Sequence, residues 1–329
     1  MFTLMISVAG LYESNLFSII AIWLVSKFYS IRWIGLVIVI ATFLLGMWVT
    51  NDAVLLTLVP FTLFVTKQTG QERYALIIVI MQTFAANLGS ALTPMGDPQN
   101  IYLYAYYDIP FLSFISAMIP ITLTGLILVS VTTIVLIPNI RCHPVTVSPK
   151  ISTWKIIIYV LIFINALLTV LRVIPELYAL GITLVLTLFF ARHLVRKIDL
   201  TLLLTFFSFF IFTGNLSQMD WIRNSVSTLL QSHYSVFFTG LLTSQFISNV
   251  PAAVLLSTFT DGIYWKQLLQ GVNVGAMGTL IASLASLITF KFVIKKFPTV
   301  TKEYIKTYTL LSVVFIVIIT GVLIGFSNW

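Results

Sequence analysis

Two carboxylates interrupt apolar stretches of this 329-residue chain: Asp52, in Thr50-Asn51-Asp52, and Asp97, in Thr93-Pro94-Met95-Gly96-Asp97-Pro98-Gln99-Asn100. A carboxylate so placed binds a cation such as Na⁺ or carries a proton; the plainer reading is that it caps a half-helix. Neutral oxygen and amide groups stand in the same kind of surroundings. Thr50, Asn51, Asn87, Thr93 and Asn100 do so in the first half, and Ser248, Asn249, Asn273 and Thr279 in the second. Such groups line ion and solute paths, and Asn51, Asp52 and Asn249 are where a Na⁺ would sit. Ser90 and Gln99 read as local caps or supporting groups, Ser286 and Thr289 as helix-face packing. The tyrosines of 102–107 read as either a path lining or an interfacial belt. His143, His193 and His233 stand alone, and the single Cys142 excludes an intrachain disulfide and a cysteine-rich metal site. An aspartyl-protease reading, like that of a non-transporting scaffold, is only a remote alternative: catalytic acids must meet at hydrogen-bond range, Asp52 lacks a helix context comparable to that of Asp97, and proteolysis gives the second half no role. The chain is not read as an enzyme.

These residues need a frame that holds them inside a membrane. The chain is 59 % hydrophobic and only 9 % charged, with a mean hydropathy of +1.05, whereas about a quarter of a soluble domain is charged. That excludes a cytosolic enzyme, a secreted disulfide scaffold and a disordered chain. The net charge of +8 lies in short runs between apolar spans. It therefore points to a cytoplasmic membrane face and anionic lipid, not to nucleic acid. Several apolar spans exceed the roughly 20 residues needed to cross the hydrocarbon, while others are too short to cross alone. Short spans broken by Gly, Pro, Asn or Asp indicate re-entrant hairpins and broken helices.

The breaks form pairs. VTNDAVLLTLVPF (49–61) reads against ISNVPAAVLLSTF (247–259). ANLGSALTPMGDPQNIYLY (86–104) reads against GVNVGAMGTLIASLASLITF (271–290), with Asn87 opposite Asn273 and Gly89 opposite Gly275. A third match, 4–17 against 209–222, precedes them in the same order. The expected fold is an all-α polytopic membrane protein with inverted repeats. Its first transport module is 1–107 (hairpin 33–66, broken helix 74–107), followed by scaffold helices over 111–191. The second module is 201–290 (hairpin 234–260, broken helix 267–290), and a last scaffold helix covers 306–326. Segments 13–30 and 216–233 are read as interfacial arms. With the two hairpins entering from opposite sides, 27–32, 67–73, 138–155, 192–199 and 291–306 become cytoplasmic. These runs hold fifteen of the 18 Lys and Arg residues, as the positive-inside rule requires.

The ordered motifs NDAVLLTLVP (51–60), NLGSALTPMGDPQNIYL (87–103), SNVPAA (248–253) and GTLIASLAS (278–286) resemble one ion-transporter superfamily. It includes arsenite permeases, NhaD-type antiporters, citrate permeases and divalent-anion symporters, and the arsenite-permease-like branch looks nearest. The resemblance implies an elevator mechanism, usually within a homodimer. It places Thr50, Asn51, Asp52, Thr93 and Asn100 in one half-site and Ser248, Asn249 and Thr279 in the other. The chain departs from the family pattern in reading Gly-Asp-Pro at 96–98, and in tips that read Thr-Asn-Asp and Ser-Asn-Val. The span pair 152–191 has no counterpart before residue 1, so either the chain starts late or its first half lacks part of the scaffold. The expected function is secondary transport of a small anion or oxyanion-like solute across the cell membrane, coupled to H⁺ or Na⁺. The alternative is a Na⁺/H⁺ antiporter using Asp52 and Asp97.

Overall fold

The computed structural model describes residues 2–142, 152–170, 173–195 and 230–326, with positions 204, 208, 211 and 215. The match over 209–222 and most of the arm at 216–233 lie outside the described residues. Among the described residues the named elements are all helical, and one β-bridge joins Ser30 to Arg141. In order, the longer helices are α1 Phe2–Glu13, α2 Leu16–Phe28, α3 Ile31–Gly46, α4 Asn51–Gln68, α5 Ala75–Ser90, α6 Pro98–Tyr106 and α7 Phe111–Leu136. They continue with α8 Thr153–Val170, α9 Glu176–Phe190, α10 His233–Ile247, α11 Asn249–Ser257, α12 Trp265–Gly275, α13 Leu284–Lys296 and α14 Thr301–Phe326.

The helices break where the sequence forbids their continuation. Pro98 has no N–H to give and takes the first position of α6, where none is needed. Ser248 turns the chain between α10 and α11 with a φ of 73°. Ser283, in extended backbone, precedes α13. The result is twofold: a hairpin (α3–α4) beside an interrupted helix (α5–α6), and a hairpin (α10–α11) beside another (α12–α13).

Both units pack by the same device. A Cβ on Gly89 would strike the carbonyl oxygen of Phe43 in α3, and one on Gly275 would come within 2.8 Å of the carbonyl oxygen of Leu241 in α10. Gly271 meets the carbonyl of Phe237 in the same way. Absent side chains let paired helices approach backbone to backbone, the usual packing of membrane helices.

The main core joins both units to α7 and α14. Phe84 packs against Tyr308 and Phe315 with tilted rings, at centroid distances of 5.1 and 5.0 Å. Ser286 and Thr289 are more than packing positions: their hydroxyls meet those of Tyr308 (2.8 Å) and Tyr304 (3.2 Å), and Thr83 donates to Thr289. Tyr102 and Tyr107 tie α6 to the end of α11 through Ser257 and Thr260. A second core holds α1, α2 and α8 together, with Ala21, Leu24 and Val25 of α2 buried in it while Trp23 faces outward. Among the described residues two helices, α7 and the one ending at Gly325, are long and apolar enough to cross a membrane. Their outer faces show Leu112, Ile127, Val135, Leu310 and Val317, each more than half exposed. Those faces are built for lipid, and the protein is an integral membrane protein.

Candidate functional site

The interruptions of the two units meet at the centre. Asn51, the first residue of α4, donates through its backbone N–H to the carbonyl of Gly96 (3.2 Å), and Asn249, the first of α11, donates to the carbonyl of Ala282 (2.8 Å). Gly96 and Ala282 each precede the residue that opens the second half of an interrupted helix: Asp97 before α6, Ser283 before α13. Each hairpin tip is thus fastened to the break of its own unit by one equivalent bond.

A second pair of bonds repeats the pattern. Thr93 donates to the carbonyl of Met47 at 2.5 Å, and Thr279 to that of Gln245 at 2.9 Å. Both threonines close the carbonyl end of a hairpin's first helix, and Thr279 is exposed. They act as staples, and neither hydroxyl bonds to the central amide groups. The other carbonyl ends are also closed by side chains. Asn100 donates to Ser90 and Thr93, Gln245 to Gly275, and Ser312 to Gly278.

The side chains then link across the units. The Asn51 amide donates to Asn87 Oδ1 (3.0 Å) and to Asp97 Oδ2 (2.9 Å). Ser90 donates to the same carboxylate oxygen at 3.3 Å, and Ser283 donates to Asn87 Oδ1 at 3.1 Å. A second run goes from Gln99 to Asn273 (3.2 Å) and from Asn273 to Asn100 (2.8 Å). All these side chains are buried. Asp97 does not cap α6 with its side chain, so the carboxylate is turned to the amide network. Asp52 follows Asn51 in the chain, and the Asn51 oxygen accepts from its N–H at 2.7 Å. Thr50 precedes α4 and makes no side-chain bond to its N-terminus. In the second tip, Asn249 Oδ1 turns back to the N–H of Val250 (2.9 Å) and to the hydroxyl of Ser248 (3.3 Å).

Four buried polar atoms of these segments have no partner: the donors Asn87 Nδ2 and Asn249 Nδ2, and the acceptors Asp52 Oδ1 and Gln99 Oε1. Buried polar groups are rarely left unpaired outside sites that take a ligand or water. The N-terminal ends of α4, α6, α11 and α13 lie along one chain of contacts, from Asp97 through Asn51 and Asn87 to Ser283, with Asn249 on the neighbouring Ala282. Each such end carries roughly half a positive charge, so the ensemble suits an anion. Both acidic residues belong to the first unit; the equivalent positions in the second are Val250 and Ser283. Among the described residues no cluster of His, Cys, Asp and Glu is built to hold a metal ion.

The structure therefore brings Asn51, Asp52, Asn87, Asp97, Asn100 and Asn273 together, sets Ser248 and Asn249 at the second tip, and gives Thr93 and Thr279 to stapling. Sequence reading passed over Ser283 and Gln245; Gln99 and Ser90, read there as local caps or supporting groups, bond to Asn273 and to Asp97. Carrying the pairing of Asn87 with Asn273 forward to Asp97 would have reached Ser283.

Comparison with known proteins decides the family. The model of the citrate transporter family (CitMHS) matches residues 1–264. The chain belongs to that family. Within the superfamily whose motifs it resembles, the match falls on the citrate permeases; the arsenite-permease branch stays a resemblance. An uncharacterized transporter of Methanocaldococcus jannaschii is 35 % identical over 260 residues, covering 78 % of this chain and 70 % of that protein. The inner membrane protein YbiR of Escherichia coli is 30 % identical over 296 residues, covering 88 % and 77 %. A 46 kDa membrane protein of Mycobacterium leprae is 24 % identical over 329 residues, covering 87 % and 75 %. A citrate-transporter family member is a transport protein and not an enzyme, which removes the protease reading of the two aspartates.

Proposed function

We propose that the protein is a multi-pass secondary transporter of the cell membrane that carries a small anion or oxyanion-like solute, coupled to H⁺ or Na⁺. The two hairpin-and-broken-helix units form the transport module and are related as inverted repeats. They slide as an elevator against scaffold helices that include α7 and α14, within a homodimer. One observation carries the reading: four half-helices begin beside a buried amide network in which two amide donors lack partners, while the nearby carbonyl ends are closed by Thr93, Asn100, Gln245, Thr279 and Ser312. Positive helix ends and free N–H groups attract an anion. The citrate in the family's name makes an organic carboxylate the first solute to test.

Asp52 and Asp97 supply the coupling charge. Both stand in the first unit, so the cation or proton enters there, and a Na⁺ would draw on Asp52 and Asn51, with Asn249 across from them. Because both acids adjoin Asn51, Asp52 as its neighbour in the chain and Asp97 through its amide bond, a second reading remains, a Na⁺/H⁺ antiporter that moves no anion. The two are separated by a solute panel in proteoliposomes under imposed Na⁺ and pH gradients. Gradient-driven anion uptake that Asp97→Asn uncouples supports the first reading. Na⁺-dependent collapse of a pH gradient with no added anion selects the second. Should no gradient move any solute, both fall.

A further inference from the structure

The two breaks are closed in different ways. In the first, Asn100 bends back over its own break, its amide donating to the carbonyls of Ser90 (3.1 Å) and Thr93 (3.2 Å). The register that sets Asn87 opposite Asn273 and Asp97 opposite Ser283 sets Asn100 opposite Ser286. A serine side chain ends one atom short of an asparagine's. The Ser286 hydroxyl meets that of Tyr308 in α14, at 2.8 Å, and Tyr308 goes on to the carbonyl of Met277 (3.4 Å). One turn further along α14, Ser312 donates to the carbonyls of Met277 and Gly278. All three side chains are buried.

Proton accounting fixes the direction of these bonds. Among the described residues no backbone N–H reaches the carbonyl of Met277 or of Gly278, and two buried carbonyls need two donors. Ser312 has a single proton, which lies before both. The second donor is the Tyr308 hydroxyl, which in turn accepts from Ser286.

The plain account is that hydroxyls between membrane helices are general glue. Glue of that kind would fall on any free group and recur in the first unit. Both α14 hydroxyls fall instead on the two carbonyls that the break releases. Helix α7 follows the first unit as α14 follows the second, and among the described residues its hydroxyls bond within α7 and none reaches 90–96.

We propose that Tyr308 and Ser312 are positioning residues of the second half-site, taking for that break the part that Asn100 takes for the first. The held carbonyls fix the turn from α12 to α13. That turn sets Ala282, whose carbonyl accepts from Asn249, and Ser283, which donates to Asn87. The same hydroxyls offset the negative carbonyl end of α12, which would otherwise repel an anion. This last consequence rests on the transport reading; the placing of the break does not.

The test uses the purified full-length chain with Cys142→Ala and one reporter in either break, Ala91→Cys or Ala282→Cys, at positions that are both buried. A buried thiol meets N-ethylmaleimide only when its surroundings open. Ser312→Ala is expected to speed alkylation at Ala282→Cys about fivefold, the worth of one hydrogen bond, and to leave the rate at Ala91→Cys unchanged. Tyr308→Phe keeps the ring against Phe84 and is expected to act the same way to a smaller degree, which keeps the proposal testable if the alanine variant fails to fold. In proteoliposomes given citrate, Ser312→Ala is expected to raise KM several-fold without lowering Vmax, whereas a chain that is only less stable loses Vmax. Equal acceleration in both breaks, no acceleration at Ala282→Cys in either variant, or a fall in Vmax at unchanged KM overturns the proposal. A wild-type chain that moves no solute at all defeats the transport reading alone, and the two alkylation rates then decide this one.

Discussion

Asn51 joins two partners through one amide group, which serves both Asn87 and Asp97. Asn51→Ala removes one donor from each of two buried acceptors, leaving Asn87 with Ser283 and Asp97 with Ser90, and each bond lost is worth about 0.5–1.5 kcal/mol. Ser283→Ala removes one donor from Asn87, which keeps Asn51. The expected order is therefore a tenfold or larger loss of initial uptake rate in proteoliposomes for Asn51→Ala, and a smaller loss for Ser283→Ala, with melting temperatures ranked the same way. Equal losses would show that the bonds to Asp97 are not what matters. At this scale the sequence was legible where residue type and break coincide: Asn51, Asn87, Asp97, Asn249 and Asn273 are polar groups that a membrane span tolerates only for a reason. Ser283 and Gln245 were not legible. A serine or glutamine near a helix end is common, and what distinguishes these two is a partner on another helix, which no local pattern records.

At the scale of elements, the hairpins and interrupted helices depend on close backbone approach. Gly89→Ala drives a methyl group into the carbonyl oxygen of Phe43, on backbone that cannot step aside, and overpacking of this kind costs about 1–3 kcal/mol. Gly262→Ala meets nothing within 4 Å and serves as the control. A lower melting temperature for the first, with the second unchanged, is the expected result; parity between them would refute the packing account. The paired glycines at 89 and 275 were readable as a repeat because both follow an asparagine by two residues. Their neighbours Phe43 and Leu241 were not, since a carbonyl contact leaves no trace in the type of the residue that owns it. Thr93 and Thr279, read from the sequence as ligand groups, each use the hydroxyl proton to close a helix end, a duty that any buried break imposes.

For the whole molecule, the charge pattern makes a statement about sidedness. In the proposed arrangement Ile263, which is 67 % exposed, lies outside, and Lys302 lies in the cytoplasm. The chain has one cysteine, Cys142. In a Cys142→Ala background, a membrane-impermeant maleimide added to intact cells is expected to label Ile263→Cys. Lys302→Cys should be labelled only after permeabilisation. Labelling of both from one side would defeat the inverted-repeat reading. The general class, helical and membrane-embedded, was written in composition, because nine charged residues per hundred cannot clothe a soluble body. How the units assemble was not, because it rests on contacts such as Thr83 with Thr289, between residues far apart in the chain.

The bond from Asn51 to Asp97 has one further consequence. It is the only bond among those described here that joins a hairpin tip to a group able to gain or lose a proton. Proton occupancy of Asp97 and the seating of that tip are therefore linked variables. By reciprocity, whatever factor a proton imposes on the tip's equilibrium, displacement of the tip imposes on the proton's affinity. The second tip, with Ser283 in the equivalent place, stands outside that exchange, so the two ends of the site would answer a pH gradient unequally. Proton uptake by wild type and Asn51→Ala, measured at equal pH, reads that linkage directly: identical uptake would mean that tip and proton are uncoupled.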